Sequence, residues 1–303
     1  QPMISANHQF VLSYNGEVYN FRELRTELER LGHHFYSQTD SEVVLNAWVE
    51  WGEDCVHRFN GMFAFSVWDK KKKILYLVRD RYGINPLYYA QWGNTFLFGS
   101  EQKAILEHPA AKKEIDNKAL LEYFTFQNIF TNRTLLKNVK LLQPGSIAKI
   151  QYGKDTSLQI QQYWDYHFEE PKIPKDSREY HEELDRLLKQ AVSRQLVTDV
   201  ELGSYLSGGM DSGTLTALAS KELPYIKTFT CGFDLSSASG LELAFDEREK
   251  AEAMSALYKT EHYEMVLKAG DMERCLPKLA YHLEEPRVGQ SYPNYYAAQQ
   301  ASK

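Results

Sequence analysis

Between Phe10 and about Ser100 the apolar residues recur at strand spacing. Phe63, Phe65 and Val67 alternate with Met62, Ala64 and Trp68, so a strand across them is apolar on both faces and has to be covered on both. Ile74 to Val78 makes a second run, and Pro86 to Phe98, folded about Gly93-Asn94, a third, which together predict a mainly antiparallel meander. Two helical stripes interrupt it. Phe21, Leu24, Leu28 and Leu31 follow a capping residue at Asn20, and Val44, Leu45 and Trp48 follow one at Thr39 or Asp40, with Gly32 and Gly52 as stops. After the turn Leu142-Gln143-Pro144-Gly145, the polar stretch 169–176, EEPKIPKD, reads as a linker. Beyond it the rhythm becomes helix 177–196, strand 200–206, helix 212–222, strand 226–233, helix 245–258, strand 261–267 and helix 271–283. That alternation predicts an α/β domain with a parallel sheet. The expected domains are residues 1–168 and 177–303.

Composition agrees with two ordinary cores, since the chain has 303 residues of which 43% are hydrophobic. A formal charge of −6 without a basic stripe argues against nucleic acid as a partner; the one basic run, Lys70 to Lys73, lies between two strands and reads as a solvated turn. Three scattered cysteines, Cys55, Cys231 and Cys275, fit neither a disulfide framework nor a thiolate zinc site and suit a reducing cytoplasm. No apolar run approaches the ~20 residues that span a bilayer, so a soluble protein without a membrane partner is expected. The sequence starts in strand-like material without an initiator methionine and stops inside a helical pattern, YPNYYAAQQASK, and so reads as a fragment.

The strongest chemical signal is residues 202–215, LGSYLSGGMDSGTL, where a short apolar run turns into a helix. In a parallel sheet, ligands bind at the carboxyl ends of strands, where such turns occur. Gly208 and Gly209 lack Cβ atoms, so backbone N–H groups can approach phosphate oxygens, and the following helix offers its unpaired N–H groups and positive dipole end. Ser207 and Ser212 add hydroxyl donors. A carboxylate at Asp211 would repel phosphate unless a cation bridges them, which points to a Mg2+-bound pyrophosphate. The plainer alternative is a Gly-Gly turn with Asp211 or Ser212 as a helix cap. No lysine follows the glycines as it would in a Walker A loop. The stretch SGGMDS resembles the PP-loop, SGGxDS, of ATP pyrophosphatases. That resemblance implies cleavage of ATP between its α- and β-phosphates, with adenylation of an acceptor oxygen and the loop gripping the leaving pyrophosphate.

Several further segments resemble the glutamine-hydrolysing asparagine synthetase family: YNGEVYNFRELR (14–25), YSQTDSEV (36–43), RFNGMFAFSVWD (58–69), RDRYGINPLYY (79–89), GSEQKA (99–104), LLQPG (141–145) and YW (163–164), in family order over nearly the whole chain. The resemblance implies an α+β αββα sandwich of the N-terminal-nucleophile glutaminase type, followed by an α/β PP-loop domain. It implies that Asn15, Gly16 and Glu17 line a glutamine pocket, with the Asn15 amide and Gly16 N–H facing an oxyanion, and that Asp40 holds the α-ammonium group of glutamine. Asn-Gly as a turn and Asp40 as a helix cap are the structural alternatives. It further implies that the backbones of Leu206 and Cys231 contact adenosine. Ser207, Gly208, Gly209, Asp211 and Ser212 would hold pyrophosphate, and Asp211 would take part in binding the metal. Asp246 and Glu247 resemble an acidic pair near the nucleotide, or else serve as helix-start carboxylates.

The sequence departs from the family in two regions. A cysteine nucleophile at the N-terminus and an arginine just upstream of the pocket are expected, yet the sequence begins at Gln1, and Cys55 follows a helix in a position that suits a buried residue. A second phosphate-contacting segment, SGxGxDE, would follow residue 303. As it stands the chain is therefore expected to lack glutaminase activity and to be incomplete for ATP chemistry. Residues 281–292, YHLEEPRVGQSY, resemble an acceptor-pocket segment but carry Gly289-Gln290 where an aspartate is expected, which leaves sugar acids and other carboxylates open beside aspartate. The implied substrates are glutamine, aspartate or a related carboxylate, and ATP, with Mg2+. A homodimer is among the assemblies the resemblance allows. An inactive nucleotide-binding relative is the alternative outside the enzymes.

Overall fold

The computed structural model describes residues 1–153, 157–171, 176–234, 236–237, 245–287 and 291–303. They fall into two compact units, Gln1–Glu170 and Pro171–Lys303.

In the first unit, strands β1 (Met3–Ile4), β2 (Phe10–Val18), β3 (Gly61–Asp69), β4 (Ile74–Arg79), β8 (Ser146–Gln151) and β9 (Ser157–Gln162) form an antiparallel sheet in the order β1-β2-β3-β4-β8-β9. A second sheet has β5 (Tyr88–Trp92) between β6 (Thr95–Gly99) and β7 (Val139–Leu141). The apolar stripes decide how these layers stack. Helices α1 (Phe21–Arg30) and α2 (Asp40–Trp51) bury Leu24, Leu28, Val44 and Trp48 against Leu12, Phe63, Phe65 and Val67 on one face of the large sheet. On its other face Ala64, Leu77, Ala148 and Ile150 meet Leu87 and Tyr89. The far face of the small sheet, Tyr88, Ala90 and Val139, packs on Ile105 of the short helix α3 (Gln102–Leu106). Helix, sheet, sheet, helix is the αββα sandwich, and β3 is the doubly covered strand. The helix α4 (Asn117–Phe126) lies between α3 and β7 in the chain.

Local chemistry accounts for the joints. Lys70 to Lys73 form the β3–β4 turn, where the Asp69 carboxylate accepts the N–H groups of Lys71 and Lys72 at 2.9 Å each. Thr39, and not Asp40, caps α2, accepting the Glu42 N–H at 3.4 Å. Asn20 precedes α1 as expected but does not cap it. Its Nδ2 donates to the Arg58 carbonyl at 2.9 Å and its Oδ1 accepts the Asn60 N–H at 2.8 Å, so the side chain ties the helix start to the turn before β3. A long-range turn with two unmet backbone groups outcompetes the local cap.

In the second unit, β10 (Gly203–Tyr205), β11 (Lys227–Phe233) and β12 (Glu261–Leu267) are parallel and lie in that order. Helix α5 (Ser177–Gln195) precedes them; α6 (Met210–Glu222) joins β10 to β11 and α7 (Arg248–Tyr258) precedes β12. The helices α8 (Asp271–Leu283) and α9 (Tyr292–Ala301) follow, packing Cys275 and Tyr292 on Phe233 and Leu267. Strand β10 is shorter than the predicted 200–206 and α7 starts later than 245. Among the described residues no helix is long and apolar enough to cross a membrane.

Candidate active sites

The first site is the open edge of β2. Strand β1 pairs only with Val11 and Leu12, so the edge beyond them is unpaired. Gly16 sits opposite Phe63, whose N–H donates to Asp80 Oδ2 (3.2 Å) and whose carbonyl accepts the Asp80 N–H (2.8 Å), both on the β4 side. In an antiparallel pair this parity turns the Gly16 N–H and carbonyl away from β3, toward the open edge. The Gln1 side chain takes the Tyr14 N–H and carbonyl on that edge (2.6 and 2.7 Å), and Asp40 Oδ2 takes the Val18 N–H (3.0 Å), so Gly16 lies between two occupied positions. Its φ is +156°, and a Cβ there would run into the Met62 carbonyl oxygen and come within 2.6 Å of the Phe63 Cα, so only glycine fits. Structure thus brings Gly16 and Asp40 to one stretch of edge. Asn15 projects from the opposite face, exposed; its Nδ2 donates to Ser100 Oγ (3.3 Å), which leaves its second amide hydrogen for a ligand. Glu17 is exposed on the same face as Asn15.

Two buried carboxylates that the sequence reading missed support this edge. Asp80, 1% exposed, accepts the backbone N–H groups of Phe63, Tyr82, Ile84 and Asn85 at 3.0–3.2 Å. Beside it the Arg79 guanidinium donates to the carbonyls of Asn85 (2.8 Å), Gly83 (2.6 Å) and Leu142 (2.5 Å). The loop wound about this pair presents Asn85, whose Nδ2 donates to the Asn15 carbonyl at 2.9 Å. Glu42, 7% exposed, accepts the N–H groups of Tyr36 (2.9 Å) and Ser37 (2.7 Å) and the Ser37 hydroxyl (2.6 Å), folding the preceding loop onto the first turn of α2, where Asp40 lies. Burial alone would raise the Glu42 pKa, but these hydrogen bonds outweigh it and hold the carboxyl below its usual range. The sequence signals were charged residues in mixed surroundings, RDR and SEV, which also suit a surface.

The second site is the turn from β10 into α6. Gly208 has φ +71°, and a Cβ on it would come within 2.5 Å of the Lys250 Cβ on α7, so this backbone position requires glycine. Helix α6 starts after Gly209 with no side-chain cap, which leaves the N–H groups of its first turn directed at the loop. The Ser207 and Ser212 hydroxyls meet at 2.9 Å, and Ser212 Oγ also accepts the Ser207 N–H at 3.1 Å. The Asp211 carboxylate is exposed in the first turn and has no hydrogen-bond or ion-pair partner among the described residues, so neither Asp211 nor Ser212 caps the helix. Next to the loop is a cleft of about 260 Å3 lined by Leu206, Ser207, Cys231, Phe245, Glu247 and Pro293, among others. A larger cleft of about 710 Å3 runs along Gly203, Tyr205 and Lys227, and no residue of the loop 207–212 lines it.

The acidic pair separates in function. Asp246 takes Arg248 Nη2 (2.7 Å) and the Phe233 N–H (3.2 Å), and the Arg248 hydrogen bonds hold its pKa below the usual range; it locks α7 to the end of β11. Glu247 lines the cleft. The Leu206 backbone is already engaged, its N–H by the Phe229 carbonyl (3.0 Å) and its carbonyl by the Thr230 hydroxyl, so only the second lone pair of that carbonyl is left for a ligand. Residues 288–290, with Gly289-Gln290, lie outside the described residues.

Family models agree with this division. A glutamine amidotransferase domain matches residues 1–164 and an asparagine synthase domain residues 183–303. The chain belongs to the glutamine-hydrolysing asparagine synthetase family. It is 36% identical over 293 residues to asparagine synthetase [glutamine-hydrolyzing] 3 of Bacillus subtilis, covering 94% of this chain and 46% of the relative. Asparagine synthetase [glutamine-hydrolyzing] 1 of the same organism is 32% identical over 311 residues, covering all of this chain and 46% of that one. The chain therefore spans about half the length of these curated relatives. Among solved structures, the glutamine phosphoribosylpyrophosphate amidotransferase from B. subtilis, complexed with ADP and GMP, superposes over 75% of this chain and 47% of that one at 16% identity, with a TM-score of 0.39, and adds nothing to the assignment.

In this member of the asparagine synthetase family none of the three cysteines carries an activated thiol. Cys55 is buried, and desolvation lifts its pKa well above the usual value; burial pushes the Cys231 thiol up to about 11, with its Sγ 3.1 Å from the Pro293 carbonyl. At pH 8 about one Cys231 in a thousand is then thiolate. Iodoacetamide labelling followed by mass spectrometry is expected to be slow in the folded protein and to rise about tenfold per pH unit toward pH 10. Rapid labelling of Cys231 at pH 8 would contradict the assigned environment.

Proposed function

We propose that the protein containing this chain converts aspartate to asparagine, using ATP to form β-aspartyl-AMP and glutamine to supply ammonia, with AMP and pyrophosphate released. Residues 1–168 act as the glutaminase domain and 177–303 as the ATP-binding part of the synthetase domain. The observation that carries this reading is the loop Ser207–Ser212, a glycine-kinked turn at the carboxyl end of a parallel strand that opens an uncapped helix, a geometry suited to a phosphate group. Adenylation replaces the oxide leaving group of a carboxylate by AMP, so that ammonia can displace it. The Gly208 and Gly209 backbone and the Ser207 and Ser212 hydroxyls hold the departing pyrophosphate, while Leu206 and Cys231 lie along the nucleoside.

Mg2+ fits this donor set as an ion that arrives with the nucleotide. Among the described residues no group of three or more His, Cys, Asp or Glu side chains could hold a metal, whereas Asp211 presents one exposed carboxylate beside the phosphate cradle. Asp211 would hold such an ion, which would supply positive charge to the phosphate group. In the glutaminase site Asp40 receives the α-ammonium group, and Asn15 and the Gly16 N–H face the amide oxyanion, with Glu17 at the pocket rim. The ammonia released is the nucleophile that displaces AMP from the acyl adenylate.

A second reading, in which the acceptor is a sugar acid or another carboxylate, is favoured by Gly289-Gln290 standing where an aspartate is expected. Calorimetry on the complete protein with Mg2+ is expected to detect both ATP and inorganic pyrophosphate, and binding of neither refutes the phosphate-loop reading. Pyrophosphate release is expected with aspartate; release only with another acid of a carboxylate panel selects the second reading.

A further inference from the structure

We propose that Tyr14 is a positioning residue of the glutaminase site, whose phenol fixes the Asp40 carboxylate in the orientation that receives the α-ammonium group of glutamine. This inference rests on the reading of Asp40 above. Tyr14 extends from β2 into the helix-facing core, 7% exposed, with its ring 6.3 Å from that of Phe65. Its hydroxyl donates to Asp40 Oδ2 at 2.7 Å, and the same oxygen accepts the Val18 N–H at 3.0 Å. Both bonds fall on one oxygen, so Oδ1 has no partner among the described residues and is the oxygen available to a ligand. Burial and the neighbouring Asp40 charge raise the Tyr14 pKa far above its ordinary value, so the phenol is a donor at every working pH.

A half-buried carboxylate at a helix start would otherwise rotate about its side-chain bonds and spend part of its time turned from the pocket. Two donors on Oδ2 remove that freedom before the ligand arrives, and preorganisation of this kind is worth affinity without a new contact to the ligand. The phenol does not touch the reacting amide. Its loss should therefore weaken glutamine binding and spare the chemistry.

Tyr14→Phe keeps the ring in the core and removes only the donor. In the complete enzyme the KM for glutamine is expected to rise about tenfold, as for loss of one hydrogen bond to a charged group, with kcat for glutamine hydrolysis unchanged within about twofold. Ammonia-dependent synthesis should not change. The decisive comparison uses glutaramate, glutamine with its α-amino group replaced by hydrogen, as a competitive inhibitor: its inhibition constant should be the same in both proteins. An unchanged KM for glutamine overturns the inference, and so does an equal weakening of glutaramate, which would mean a distorted pocket. Asp40→Ala separates the layers. If it raises the glutamine KM while Tyr14→Phe does not, only the role of Tyr14 falls; if Asp40→Ala leaves that KM unchanged, the Asp40 assignment falls and this inference with it.

Discussion

Asp211→Asn in the complete protein is expected to lower amide synthesis by about 10²–10³-fold with glutamine and with free ammonia alike, and to leave glutamine hydrolysis intact. The carboxylate stands exposed in the first turn of α6 without a protein partner, so its removal breaks no contact among the described residues. Helix α6 loses only the interaction of one acidic side chain with its dipole, about 0.3–1 kcal/mol, too little to unfold the unit. On the proposed reading, what goes is the carboxylate that would hold a divalent ion against the leaving pyrophosphate. Steady-state assays of AMP, pyrophosphate and glutamate release separate the outcomes. Synthesis at the parental rate would remove Asp211 from the mechanism, and equal loss of glutamine hydrolysis would point to misfolding.

The second large effect is on stability. Asp80→Ala is expected to destabilise the first unit by about 3–5 kcal/mol, because the backbone N–H groups of Phe63, Tyr82, Ile84 and Asn85 lose their acceptor inside the sandwich. The Arg79 guanidinium keeps its own bonds to the carbonyls of Asn85, Gly83 and Leu142, so the loss falls on the four N–H groups. For a unit of this size that loss lowers the melting temperature by roughly 10 °C or more. Asp80→Asn keeps one acceptor oxygen and should cost about half as much. Calorimetric unfolding of the chain reads both, and a shift of under 2 °C for the alanine variant would show that the loop does not depend on this carboxylate.

The layers of both units were legible because a strand apolar on both faces, Met62 to Trp68, admits only a doubly covered position, and because alternating helix and strand after residue 177 admits only a parallel sheet. The turn at Gly208-Gly209 was legible for the same reason, since two glycines between strand and helix constrain the backbone directly. Site chemistry that depends on long-range contacts was not. Asp80 lies between two arginines and reads as surface charge; only the fold shows the N–H groups gathered round it. Asn20 carries a capping residue's sequence pattern, yet its amide is committed to Arg58 and Asn60, 38 and 40 residues away. Asn15, Gly16, Glu17 and Asp40 stood out through the ordered likeness to a family, because each alone also suits a turn or a cap. The engagement of the Leu206 backbone by Phe229 and Thr230 follows from register between neighbouring strands, which periodicity does not specify.

The assignment of the α2 cap to Thr39 separates two duties that adjacent residues could have shared. Since the helix draws its terminating hydrogen bond from a threonine, the neighbouring aspartate carries no scaffold obligation at that end and its two oxygens are divided between phenol and backbone on one side and solvent on the other. On the proposed reading, a substitution at Asp40 would alter the pocket and the partners of Tyr14 and Val18 while leaving the Thr39 cap of the helix in place.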